Sequence, residues 1–202
     1  MLGSRSDFGE ERREPKRIWL ITGEPGAGKT TALSSILLKI RSAGYTVGGM
    51  LTREIRARGE RIGFSIVDLS TEETATLATI ENIPGPRVGK YRVNLKGLSE
   101  IAARAFSHAS EKSDVIVCDE VGPMELFSPE FRRIIVECVI GSTKPSICVV
   151  HKRLSDPLID QLKSAGQSTT CEVTFENRVR LPSTIAEEVL ESLRNQAKLH
   201  QS

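Results

Sequence analysis

The sequence predicts a single α/β domain, a mostly parallel sheet flanked by helices. Three observations carry that expectation. Strand-like apolar runs alternate with helix-spaced repeats along most of the chain, the pattern of a sheet with helices on both faces. A glycine-rich turn leaves one such run and opens a helix. A second, wholly apolar run ends in two adjacent carboxylates. At 202 residues the chain is long enough for one sizeable core. The expected layout is a polar tail over residues 1–16, the domain over 17–195 and a short tail over 196–202.

The elements follow in order. Residues 17–22 read as the first strand, and a helix then runs to about Ala43. Its Ala32, Leu33, Ile36, Leu37 and Ile40 repeat at helical spacing, and Gly44 stands where a C-terminal glycine belongs. Residues 46–51 read as a strand. Residues 52–69 read as an inserted β-hairpin turning near Arg58-Gly59-Glu60, because Ile62, Phe64 and Ile66 alternate with polar or small residues. Residues 70–93 hold Pro84, Gly85, Pro86 and Gly89, and read as loop with short strands. A helix spans about 95–112, with Leu98, Ile101, Ala102, Ala105 and Phe106 inward. Residues 115–118 form a fully apolar strand. Ser128-Pro129 opens a helix as cap and first residue, ending at Gly141. Then come a buried strand at 146–150, a short helix capped by Asp156-Pro157, a last strand at 170–175 and a last helix at 182–193.

The turn reads Gly23-Glu24-Pro25-Gly26-Ala27-Gly28-Lys29-Thr30, followed by Thr31. This is G-x-x-x-x-G-K-[ST] between a strand and a helix. Its glycines let successive N–H groups face a phosphate chain, and the helix N-terminus adds positive potential. Lys29 can reach the β- and γ-phosphates, and the Thr30 hydroxyl can ligate Mg²⁺. The expected ligand is a nucleoside triphosphate with Mg²⁺ as cofactor.

A carboxylate must face that loop to organise the metal, and Val115-Ile116-Val117-Cys118-Asp119-Glu120 supplies one at a strand end. Asp119 is the metal-organising candidate, through water. Glu120 points elsewhere and is the candidate to prepare a water for attack on the γ-phosphate. That favours hydrolysis, although a carboxylate can also serve an acceptor hydroxyl. A kinase acting on a small acceptor therefore stays open, as does a nucleotide-dependent binding switch for RNA or protein. The arginine-dense hairpin (Arg53, Arg56, Arg58, Arg61) is the one feature for the switch, and it also reads as a solvated edge.

Composition excludes more than it selects. Lys and Arg number 28 against 26 Asp and Glu, a net charge of +2, which is no argument for nucleic acid or an anionic membrane. No apolar stretch approaches the roughly 20 residues of a membrane span, and a cytoplasmic monomer is expected. The four cysteines form no C-x-x-C pair and read as free thiols. The three histidines show no ligand spacing. Tyr91 and Phe175 are weighed as base-stacking residues, with packing preferred for both. No motif reads a base edge, so base discrimination is expected to be weak.

After Glu120 the chain continues Val121-Gly122-Pro123-Met124-Glu125-Leu126. The run from Asp119 to Leu126 resembles the signature of a small nucleoside-triphosphatase family, first described in thermophiles, that includes the vertebrate cancer-related nucleoside-triphosphatase. Residues 61–69, 85–91 and 176–178 are similar to other segments of that family. The resemblance covers about 16–193. It implies a RecA-like P-loop fold, with one strand between the phosphate-loop strand and the Asp-Glu strand. It also implies slow, Mg²⁺-dependent hydrolysis of ATP, GTP and other nucleoside triphosphates. The family's two nucleotide-contacting segments fall on residues 23–30 and on 115–122. Arg53 and Lys90 lie in family-like segments and are candidates for charge stabilisation, alongside Arg56, Arg132 and Arg178. Glu125 reads either as a group ordering Lys90 or an arginine, or as an exposed residue before the helix.

Overall fold

A computed structural model describes residues 16–199. The expected N-terminal tail lies, but for Lys16, outside the described residues. One nine-stranded sheet runs through the domain, flanked by five α-helices. The strands are β1 (Ile18–Thr22), β2 (Val47–Ala57), β3 (Glu60–Asp68), β4 (Thr74–Thr79), β5 (Arg87–Val88), β6 (Tyr91–Val93), β7 (Val115–Val121), β8 (Ser146–Val150) and β9 (Ser168–Glu172). The helices are α1 (Lys29–Ser42), α2 (Leu95–Lys112), α3 (Pro129–Ile135), α4 (Pro157–Ser164) and α5 (Leu181–Leu199).

The strand order is β5-β6-β4-β3-β2-β7-β8-β1-β9. From β2 to β9 every pairing is parallel. From β2 outward to β5 every pairing is antiparallel. The sheet is thus mixed, and the expected hairpin is part of it. Its first arm continues β2, which turns at Arg58-Gly59 into β3. β8 lies between β1 and β7, the separation the family resemblance implied.

Period-two alternation sorts the core onto two faces. Ile18, Leu20, Ile116, Cys118, Cys148 and Val150 face α2, α3 and α4. Trp19, Ile21, Val115, Val117, Ile147 and Val149 face α1 and α5. These central strands are apolar on both sides because helices cover both faces. Trp19 is fully buried and donates its indole N–H to Glu188 Oε2 at 2.8 Å, which ties α5 to the sheet.

Local chemistry sets the boundaries. Asn94 caps α2 by accepting the Gly97 N–H, Ser128 caps α3 from Phe131, and Asp156 caps α4 from Leu158. α3 continues as a wider helical turn over Val136–Ile140 that ends at Gly141. Arg17, only 8% exposed, donates to the Val139, Ile140 and Lys144 carbonyls beyond it.

Two expected ends move. The last strand closes at Glu172 rather than Phe175. The Asn177 amide oxygen accepts the Thr174 N–H at 2.8 Å, and its NH₂ donates to the Glu172 carbonyl at 2.8 Å, so the chain turns out of the sheet. The last helix runs on to Leu199, past the boundary at 195, since Asn195 to Leu199 contain no breaker.

Candidate active site

The phosphate loop crosses from β1 to α1 at the C-terminal end of the parallel strands, where α/β sheets bind ligands. Two glycines explain why its backbone fits. Gly28 caps α1 with φ +101°, a conformation L side chains rarely adopt. A Cβ on Gly23 would come 2.6 Å from the Val173 carbonyl oxygen, so any side chain there would push away the segment after β9. The first turn of α1 carries no acidic residue, which leaves its positive end open to an anion. Lys29 Nζ donates to the Gly23 and Glu24 carbonyls at 3.0 and 3.2 Å. Glu24 is held from outside by Lys152 at 3.0 Å and Arg153 at 2.9 Å, both from the loop after β8.

A cavity of about 550 Å³ opens over this loop. Pro25, Gly26, Gly28, Lys29, Thr30 and Thr31 form one wall, and Asp119, Glu120 and His151 the facing one. Thr52, Glu54, Arg61 and Phe64 extend it along the hairpin. The two segments far apart in sequence are therefore brought together. Gly23, Glu24 and Ala27 shape the loop without lining the cavity. Val115, Ile116, Val117 and Cys118 are fully buried in the two cores, and Val121 likewise. The second segment thus reaches the cavity only through Asp119 and Glu120, and its apolar residues act by packing. Gly122 stands just behind, where a Cβ would meet Glu120 Oε1 at 3.1 Å and Glu125 Oε2 at 3.2 Å.

The carboxylates crowd one another. Asp119 is pushed up to about 7, first by burial and then by the charge of Glu120, while Thr52 N–H and Lys29 pull it back. Burial also raises Glu120, against the positive charges of Lys29 and His151. The Thr52 hydroxyl donates to the Asp119 carbonyl, which fixes the end of β7 against β2. Asp119 sits opposite Val149 of β8, and the pairing slips by one residue at Glu120, which offsets the latter from the ladder.

Glu125 is buried, and among the described residues it is paired with no cation. It is 4% exposed in a short 3₁₀ turn, behind Glu120. Burial pushes it up to about 8, and the charges of Glu120 and Asp119 add to that, against hydrogen bonds from its own N–H and from Gly122.

The other cations part company. Arg53 is exposed on β2, between Thr52 and Glu54, and so points to the opposite face. Lys90 lies in the β5–β6 turn over the Tyr91 ring at 5.5 Å. Neither lines the cavity. Arg132 makes a bidentate pair with Asp156, and Arg56 pairs with Glu54. Arg61 does line the cavity, paired with Glu54 at 2.7 Å and stacked on Phe64 at 5.0 Å. Arg178 flanks the phosphate loop, its Cδ 3.9 Å from the Cβ position of Gly28.

Arg61 and His151 were missed as cavity groups. Arg61 was hidden among four hairpin arginines. His151 carries one legible signal, its position directly after a buried strand. Its Nδ1 is buried without a hydrogen-bond partner among the described residues. Among the same residues the four cysteines are free, no cluster of three or more His, Cys, Asp or Glu could hold a metal, and no helix is long and apolar enough to cross a membrane.

The chain is similar to known proteins over most of its length. Residues 18–186 match the model of a family described as NTPase. The nucleoside-triphosphatase THEP1 of Methanopyrus kandleri is 42% identical over 175 residues, 86% of this chain and 96% of the relative. The protein of the same name from Thermofilum pendens is 38% identical over 172 residues, 85% of this chain and 94% of the relative. Among solved structures, a human cancer-related nucleoside triphosphatase superposes with a TM-score of 0.74 at 31% identity, covering 88% of this chain and 98% of that one. THEP1 from Aquifex aeolicus gives 0.72 at 28% identity, covering 83% and 96%. The chain that folds its phosphate loop against Asp119 and Glu120 in this way belongs to the NTPase family.

Proposed function

We propose that the protein hydrolyses nucleoside triphosphates to diphosphate and phosphate with Mg²⁺, with little regard for the base. The observation that carries this reading is the half-buried Glu120 carboxylate facing Lys29 and Thr30 across one cavity. The phosphate loop N–H groups and the α1 N-terminus hold the triphosphate, and Lys29 leaves its loop carbonyls for the β- and γ-phosphates. Glu120 accepts a hydrogen bond from water and orients it at the γ-phosphorus. The water oxygen bonds to the γ-phosphorus as its proton passes towards Glu120, the bond from the γ-phosphorus to the bridging oxygen breaks, and the diphosphate carries away that electron pair. Arg61, at the hairpin end of the cavity, is the cation placed beyond the γ-phosphate.

The residues suit Mg²⁺. Thr30 and Asp119 offer hard oxygen donors on facing walls, and burial and the charge of Glu120 make ionised Asp119 costly unless a cation stands nearby. Mg²⁺ held by Thr30 and Asp119 would supply neutralising charge to the phosphate oxygens. A second reading, transfer to a small acceptor, draws on the stretch of cavity lined by Thr52, Glu54, Arg61 and Phe64.

The test is phosphate release from ATP, GTP, CTP and UTP, with and without Mg²⁺, for wild type and Glu120→Gln. Mg²⁺-dependent release from several nucleotides, reduced at least about a hundred-fold by Glu120→Gln with binding retained, supports hydrolysis through Glu120. Release that persists in the variant removes Glu120 from that role. Turnover only on addition of an acceptor replaces hydrolysis with transfer.

A further inference from the structure

On the reading that a triphosphate occupies the phosphate loop, the topology of the sheet locates the nucleoside end of the substrate. Asp119 and Glu120 mark the γ end, and they stand on β7, two strands from β1 on the side of β2. The phosphate chain runs from there over β1 and the start of α1. Its other end therefore leaves towards β9, the neighbour of β1 on the far side. The hairpin group, with Phe64, lies on the wrong side, beyond the γ-phosphate.

The segment after β9 is built and empty-faced. Val173 packs its carbonyl against Gly23. Asn177 clamps the turn through Thr174 and Glu172, and the Arg178 N–H donates to the Thr174 carbonyl at 3.0 Å. That turn lifts Phe175 out of the sheet and leaves the residue 65% exposed. The Arg178 guanidinium lies 5.1 Å from the ring centroid, while its stem crosses the last glycine of the phosphate loop. An exposed phenyl ring on a clamped turn, backed by a cation and touching a phosphate site, has the properties of a stacking platform. Every nucleobase offers a π-face, so such a platform reads no base edge.

We propose that Phe175, backed by Arg178, is the nucleobase-binding platform of this site, and that stacking there sets affinity for purine and pyrimidine nucleoside triphosphates. This corrects the preference for packing at Phe175, while Tyr91, 7% exposed, does pack. It also gives weak base discrimination a physical origin, since the same ring accepts any base.

The test measures Kd in Mg²⁺ for the β,γ-imido analogues of ATP and GTP and for inorganic tripolyphosphate. Phe175→Leu is expected to weaken both analogues by about ten-fold, and tripolyphosphate by less than about two-fold. Phe175→Trp is expected to keep their affinity, and both analogues to quench the introduced indole. The native Trp19 is fully buried and serves as the silent reference. Equal effects of Phe175→Leu on analogues and tripolyphosphate, or none on either, overturn the proposal. So does a Phe64→Leu variant that alone loses the advantage of analogue over tripolyphosphate. Phe175-dependent binding without phosphate release from ATP would sink the hydrolytic reading and leave the platform standing.

Discussion

Glu125→Gln tests the electrostatics behind the site. A carboxyl ordinarily titrates near 4.5, whereas Glu125 is held at about 8. Between those values the native chain keeps a proton that the unfolded chain has released. Native stability is therefore present at low pH, falls as pH rises through the window and levels off above it. An interval of about 3.5 pH units, at about 1.4 kcal/mol each, costs about 5 kcal/mol once Glu125 is ionised. Glutamine has the same shape and no proton to lose, so the variant escapes that fall. Any fixed cost of the amide cancels when the gap between variant and wild type is compared across pH. Asp119 and Glu120 titrate in both proteins, so their own slopes largely cancel too. The assay is urea unfolding in EDTA without nucleotide, at pH 5, 7 and 9. Since pH 5 already lies above the unfolded value, the variant is expected to gain on wild type by about 4 kcal/mol from pH 5 to pH 9. A gap that changes by less than about 1 kcal/mol would refute the burial argument and place Glu125 in contact with water or a cation.

Two further outcomes follow from other parts of the molecule. His151, after Lys29, pulls Glu120 down, so His151→Gln should move the acidic limb of the kcat–pH profile towards higher pH, with nucleotide affinity less affected; an unmoved limb would deny the coupling. Arg17→Met would leave the Val139 and Ile140 carbonyls without their buried donor and should lower unfolding free energy by about 3 kcal/mol, read by urea unfolding; a change under about 1 kcal/mol would mean that the carbonyls find other partners.

The family relation and the fold class could be read early because their signals are local. A strand, a glycine turn and a helix start within residues 18–42 need only their own backbone to make a phosphate cradle. The Asp-Glu end of an apolar run is likewise a contiguous signal. Cap residues Asn94, Ser128 and Asp156 set helix starts through hydrogen bonds that span a few residues. Strand pairing is different. Nothing between residues 46 and 69 states that β2 carries a parallel partner on one edge and an antiparallel one on the other, because each edge is set by which distant strand arrives.

The sequence by itself determined that a phosphate-loop motif stands at residues 23–30 and that Asp119 and Glu120 close an apolar strand, since both depend on residue type at fixed short spacing. Only the tertiary structure decided which other groups meet there. Four hairpin arginines look alike until β3 registers on β2 and points Arg61 into the cavity while Arg53 faces away. Glu125 reads either as a surface acid or as a group ordering a cation until the 3₁₀ turn folds it beneath Gly122. Phe175 looks like core until Asn177 bends the chain out of the sheet. Burial, charge and exposure at these positions are sums over neighbours from other elements, and packing alone chooses those neighbours.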